Sequence, residues 1–131
     1  MRTVMTLTFL VVFFLSCEDK DKNSVESNRL YGTWELKEVM VDPGDGSGTF
    51  LPVTSSRTLI FLSDSTVVSN GNMCNMNIND ETYSTGTYSL ADSIIQAGCN
   101  KGVINLNFGI RNGKLIVSYP CIEGCAFKYA K

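Results

Sequence analysis

Histidine is absent from the chain, tryptophan occurs once and proline three times, and there is no long basic stretch. Without imidazole, neither a Ser-His-Asp triad nor a histidine-activated cysteine can be assembled. The only candidate general bases are isolated carboxylates, so the chain is expected not to be an enzyme and to need no cofactor or metal. Acidic side chains number 13 against 11 basic ones, and no basic stripe is present. Nucleic acid is therefore not an expected partner. Helical periodicity is missing as well: beyond the first residues, no segment keeps apolar residues at i, i+3, i+4 and i+7 for two turns.

What is present begins with MRTVMTLTFLVVFFLSC, one positive charge followed by an apolar run from Leu7 to Leu15. The run is shorter than the roughly 20 residues a membrane-spanning helix needs and has the length of a secretory signal core. It ends in Ser16-Cys17, and Glu18-Asp19-Lys20-Asp21-Lys22 follows. This order resembles the lipobox and charged tether of bacterial lipoproteins, with Phe14 and Leu15 in place of the family's usual leucine and small residue. The resemblance implies a signal peptide over residues 1–16, lipidation of Cys17 with palmitate-like acyl chains, and a flexible linker over residues 17–28. It also implies a place in the cell envelope, on the outer membrane of a Gram-negative bacterium. At about 0.8 kcal/mol per buried methylene, two or three acyl chains would hold a small domain on a membrane.

Four cysteines remain for the domain over residues 29–131: Cys74, Cys99, Cys121 and Cys125. An even number in a small exported domain reads as disulfides. The spacing suits neither a zinc site nor a redox C-x-x-C centre. Three pairings are open, and the preferred one joins Cys74 to Cys99 and Cys121 to Cys125.

Short runs rich in Val, Ile, Thr, Tyr and Phe predict eight strands: Gly32–Asp42, Thr58–Leu62, Thr66–Asn70, Tyr83–Leu90, Ser93–Ala97, Val103–Phe108, Lys114–Tyr119 and Cys125–Tyr129. Ile104, Leu106 and Phe108 alternate with Asn105 and Asn107, and Asn112-Gly113 is a strong hairpin signal. The expected fold is all-β, a small eight-stranded antiparallel up-and-down barrel, which removes exposed strand edges. One end then carries tight turns. The other carries the longer loops PGDGSGTFLPVTSS, GNMCNMNINDE, GCNKG and PCIEGC, with every remaining cysteine.

Leu30-Tyr31-Gly32-Thr33-Trp34-Glu35-Leu36 resembles the start of bacterial lipocalin-like domains, with G-x-W at the head of the first strand. The resemblance implies that Gly32 and Trp34 form a structural plug at the closed end, under Lys128 or Lys131. A second resemblance, carried by GTWEL, TLIF, NMCN and GTYSL, is to the META-type domains of heat-inducible lipoproteins, which have a different strand order. The lipocalin-like reading implies a small apolar or amphipathic ligand in the barrel mouth, against Tyr88, Leu106, Phe108, Val117 and Tyr119. Its rival is a protein-interaction module, such as an envelope inhibitor of a hydrolase, that uses the stapled loops.

Other motifs carry less. Asp42 and Asp45 in DPGDGSG lack the alternating oxygens and closing Glu of a calcium loop. FGIRNGK lacks the P-loop's spacing and its Ser/Thr. The asparagines of NGNMCNMNIND read as a polar rim loop. Asp64-Ser65-Thr66 and Asp92-Ser93-Ile94, both at expected tight turns, resemble an O-glycosylation signal of some Gram-negative periplasmic systems.

Overall fold

The computed structural model describes residues 26–131. The segment read as a signal peptide, Cys17, and the segment read as linker as far as residue 25 lie outside the described residues. Within the described part, a helical turn over residues 26–30 (α1) begins inside the segment read as linker. Nine strands follow: β1 Gly32–Val41, β2 Leu51–Pro52, β3 Thr58–Phe61, β4 Thr66–Ser69, β5 Ser84–Ser89, β6 Ile94–Cys99, β7 Gly102–Arg111, β8 Lys114–Ser118 and β9 Cys125–Ala130.

Apart from β2, each strand pairs antiparallel with the next, and β9 returns to β1 through Glu35↔Ala130 to Val41↔Cys125. The result is a closed eight-stranded up-and-down barrel with β2 as an extra strand. β2 was not expected. It forms because β1 runs past the end of β3, and Glu38 and Val39 there find partners in Pro52 and Leu51. Proline is tolerated in such an edge strand, where its missing N–H breaks no central ladder. A second correction concerns GCNKG, read as one of the longer loops. Cys99 pairs directly with Gly102, so Asn100 and Lys101 form a two-residue turn.

Strand alternation sets the interior. Trp34 and Leu36 of β1 point inward, a register shift between Leu36 and Glu38 absorbs one extra residue, and Val39 then joins the same core. Such a bulge keeps the inner face apolar while tightening the local twist. Leu59, Phe61, Val67, Ile95, Ala97, Leu106, Leu115, Val117, Phe127 and Tyr129 lie in this core, each no more than 2% exposed.

The hairpin end, with the β3–β4, β5–β6 and β7–β8 turns, is closed by α1. Leu30 is buried, and its carbonyl accepts the Trp34 indole N–H at 2.7 Å. Lys131 donates to the carbonyls of Arg29 and Tyr31 and stands 4.9 Å above the Trp34 ring. Lys128, the other candidate cation, instead lies over Phe50 and bonds Glu38 on the outside of the barrel. Gly32 has φ +107°, a left-handed angle that a β-carbon disfavours, and it lets the chain turn from α1 into β1.

Candidate functional site: the stapled loop end

The opposite end is closed by the loop over residues 70–83, and the closing device is Arg57. Arg57 precedes β3, is 3% exposed, and points inward. Its Nη1 donates to the Asn77 carbonyl (3.2 Å), and its Nη2 to the carbonyls of Asn72 and Asn75 and to the Tyr119 hydroxyl. Its guanidinium lies 4.9 Å over the Phe127 ring. Among the described residues no carboxylate is within ion-pair distance of it. A buried cation is costly unless its donors are satisfied, and here loop carbonyls provide most of that satisfaction. Among the described residues, Arg57 Nε and the Tyr129 hydroxyl, both buried, have no hydrogen-bond partner. Burial pushes the Tyr119 and Tyr129 phenols up, an effect the Arg57 charge partly offsets, so both stay neutral.

The asparagines of this loop shape its backbone. Asn72, Asn75, Asn77 and Asp80 each accept, through a side-chain oxygen, the backbone N–H two residues on. These are Asx turns, which explain the composition without a ligand. Between them Met73 is buried in the core, and Met76 and Ile78 pack against it. Gly71 makes the close approach possible: a β-carbon there would stand 3.1 Å from Arg57 Nε and from the Asp80 carbonyl. The Cys74–Cys99 disulfide ties the loop to the end of β6, a closure worth on the order of 3 kcal/mol in the loop-entropy account.

Asp80 accepts from the side-chain amides of Asn72 (3.0 Å) and Asn75 (2.9 Å) and from Thr82 N (3.0 Å). These bonds, with those from Asn75 and Thr82 leading, hold its carboxyl well below the usual range. An unfolded aspartate titrates near pH 4. The loop therefore has the full benefit of Asp80 above that pH and loses it only as pH falls through the lower folded value. We expect the Thr82 amide resonance to hold its position from neutral pH down to about pH 4 and to move only in stronger acid. An NMR titration that placed the transition near pH 4 would show the bonds to be absent.

The second disulfide closes the ring Cys121–Cys125. Asp42 N donates to the Gly124 carbonyl (2.8 Å) and Tyr119 N to the Cys125 carbonyl (2.9 Å), so the ring is held to both neighbouring segments. Ile122, at its tip, is 99% exposed. Val41, paired with Cys125, and Leu51, paired with Val39, are exposed on the adjoining strands. The loop DPGDGSG packs beside the ring. Its Asp42 carboxylate is held below the usual range mainly by the Gly44 N–H, and it also accepts from Gly46 and Gly48. Asp42 is thus the organiser of a glycine turn. No group of three or more metal-ligating side chains occurs among the described residues.

The five residues expected to line a mouth do not share one. Tyr88 and Phe108 pack with Phe61 near the hairpin end, and the Tyr88 hydroxyl donates to the Leu62 carbonyl. Burial, with Tyr31 beside it, pushes the Tyr88 phenol up to about 12. Leu106 and Val117 are in the middle of the core, and Tyr119 lies at the loop end against Phe127 and Arg57. Clefts among the described residues open to the outside. One of about 320 Å³ at the loop rim is lined by Ser56, Arg57, Asn70, Gly71, Ile78, Asp80 and Glu81. The four thiols do gather at one end, in the two preferred pairings. Arg57 and Met73 were not singled out from the sequence. An arginine after TSS and a methionine between asparagines look like surface residues until the barrel closes beneath them.

No family model matches the chain, and no curated protein or solved structure matches it.

Proposed function

We propose that this chain is a non-catalytic, lipid-anchored envelope lipoprotein with a lipocalin-like barrel, tethered to the outer membrane through Cys17, that docks a protein partner on its stapled loop end. One observation carries the reading. Side chains fill the barrel and Arg57 latches its mouth, while Ile122 is held fully exposed on a cross-linked ring. A large apolar side chain whose backbone is already immobilised loses little entropy on binding, which is how interface anchors gain affinity. The surroundings describe the partner. Asp42, Asp45, Asp80, Glu81 and Glu123 lie on the loops of this end against Lys101 and the buried Arg57, so the complementary surface is an apolar socket bordered by basic residues. A basic hydrolase held off by occlusion is one such partner. The acidic rim disfavours an anionic lipid surface as the occupant. The described chain begins at the opposite, hairpin end, so a tether leading there leaves the loop end facing away from the membrane.

The second reading, a small apolar or amphipathic ligand inside the barrel, has in its favour the unpartnered Arg57 Nε and Tyr129 hydroxyl. Native mass spectrometry of the protein from its own host separates the two. We expect a stoichiometric protein complex, weakened about 30-fold by Ile122→Glu, the loss of one central anchor. A retained small molecule with no bound protein would establish the second reading instead.

A further inference from the structure

Two connections at the hairpin end are built alike. Leu62-Ser63-Asp64-Ser65 joins β3 to β4, and Leu90-Ala91-Asp92-Ser93 joins β5 to β6. Each ends in a serine with left-handed backbone angles immediately before the next strand: Ser65 has φ 67° and Ser93 has φ 55°. Each serine carbonyl accepts a bond from the strand beyond, from Tyr88 N and from Phe108 N, both at 2.9 Å. The third turn of this end, between β7 and β8, places Asn112 and Gly113 at positive φ, the residues that take this conformation most readily. Serine pays a steric penalty there that glycine does not. A turn would be easier to form with glycine at positions 65 and 93, so the hydroxyl is what serine adds.

Those hydroxyls are unoccupied. Both serines are exposed, and neither side chain has a hydrogen-bond partner among the described residues. The aspartate before each is also exposed and locally held: Asp64 accepts from Thr66 N at 3.0 Å, and Asp92 from the Ser89 hydroxyl at 2.7 Å. A fixed carboxylate therefore precedes a free, projecting hydroxyl in both turns. Beside Ser65 lies an open cleft of about 410 Å³ bordered by Tyr31, Tyr88 and Leu90, and beside Ser93 one of about 160 Å³ that also touches Leu90. These are surfaces on which a first sugar can rest.

We propose that Ser65 and Ser93 are the acceptor hydroxyls of an O-linked glycan, with Asp-Ser-Thr and Asp-Ser-Ile as the peptides a glycosyltransferase reads. The proposal rests on the export reading above, since such a transferase works on envelope proteins. The serine oxygen attacks the anomeric carbon of a sugar carried on a lipid-linked phosphate donor. Its proton passes to a base of the transferase, the bond from anomeric carbon to phosphate oxygen breaks with its electron pair leaving on the phosphate, and a glycosidic C–O bond forms. No oxidant or reductant is needed. The left-handed turn aids the reaction by projecting the hydroxyl away from the strands.

The test is intact-mass analysis of the mature protein from its own host. Wild type is expected to carry two glycan increments beside the lipid mass on Cys17. Ser65→Ala and Ser93→Ala should each remove one, and the double variant both, with the lipid retained. Asp64→Asn and Asp92→Asn, which keep an oxygen for the turn but not the charge, should lose the same increments. In unglycosylated recombinant protein, Ser65→Gly and Ser93→Gly should raise the thermal midpoint, showing that these variants fold. Lipidated protein with bare serines would overturn the proposal and leave the envelope reading standing. Protein bearing neither lipid nor glycan would overturn both.

Discussion

Arg57→Met is expected to destabilise the domain by about 2–4 kcal/mol and to free the loop over residues 70–83. Two effects oppose each other. Removing a buried cation relieves a desolvation cost, and methionine keeps much of the volume and the contact with Phe127. Against that, the part-buried carbonyls of Asn72, Asn75 and Asn77 and the Tyr119 hydroxyl lose their donor, at about 1–3 kcal/mol for each group left unpaired and out of reach of water. The losses win, because one side chain serves three carbonyls. Part of the cost is avoided if the loop lifts and its carbonyls reach water, which sets the lower bound. Urea unfolding gives the total, and amide exchange across residues 72–80 shows whether the loop opens first. Unchanged stability with full protection there would mean that the latch has been misassigned.

Trp34→Ala should cost about 3–5 kcal/mol, the range for truncating a large buried aromatic. The indole is 2% exposed, anchors Leu30 through its N–H, and lies under Lys131. Its removal opens a cavity, releases α1 and leaves Lys131 without the ring beneath it. Trp34→Phe separates these contributions. It keeps an aromatic face and most of the volume but loses the bond to the Leu30 carbonyl, so it should cost about 1–2 kcal/mol. Thermal unfolding followed by far-ultraviolet circular dichroism measures both, since the substitution removes the chain's one tryptophan. Equal effects of the two variants would place the importance of Trp34 in its N–H and not in its bulk.

Much of the barrel was legible because the signals are local. Period-two alternation in Val103–Phe108, Asn112-Gly113 at a turn, and the position of each apolar run follow from one strand's own residues. The eight barrel strands and their serial order came from these. β2 was not legible, since Leu51 and Pro52 pair only where β1 outruns β3. The tight Asn100-Lys101 turn was missed for a related reason. Glycine and cysteine carry little strand signal, yet Gly98 and Cys99 are held in β6 by pairing with Val103 and Gly102.

The candidate site divides the same way. That the four cysteines would gather at the loop-rich end followed from counting connections in a meander. The residues proposed for ligand contact lie in the core or pack against it, but packing inward does not mean lining a space. Whether Tyr88, Phe108 and Tyr119 border a cavity or fill it depends on the summed volume of side chains that meet only after closure. Arg57 shows the limit most clearly: nothing in TSSRTLIF distinguishes a solvated arginine from one sealed beneath a loop 15 to 20 residues further along.

By itself, then, the chain determined its strand rhythm, its turn positions and the end at which its sulfurs collect, because each depends on backbone preferences spanning a few neighbouring residues. Only the tertiary structure decided that the interior is occupied, that the mouth is latched by a buried cation, and that Ile122 is left without cover. Those outcomes depend on distances between segments far apart in sequence, and on volumes that no single strand contains.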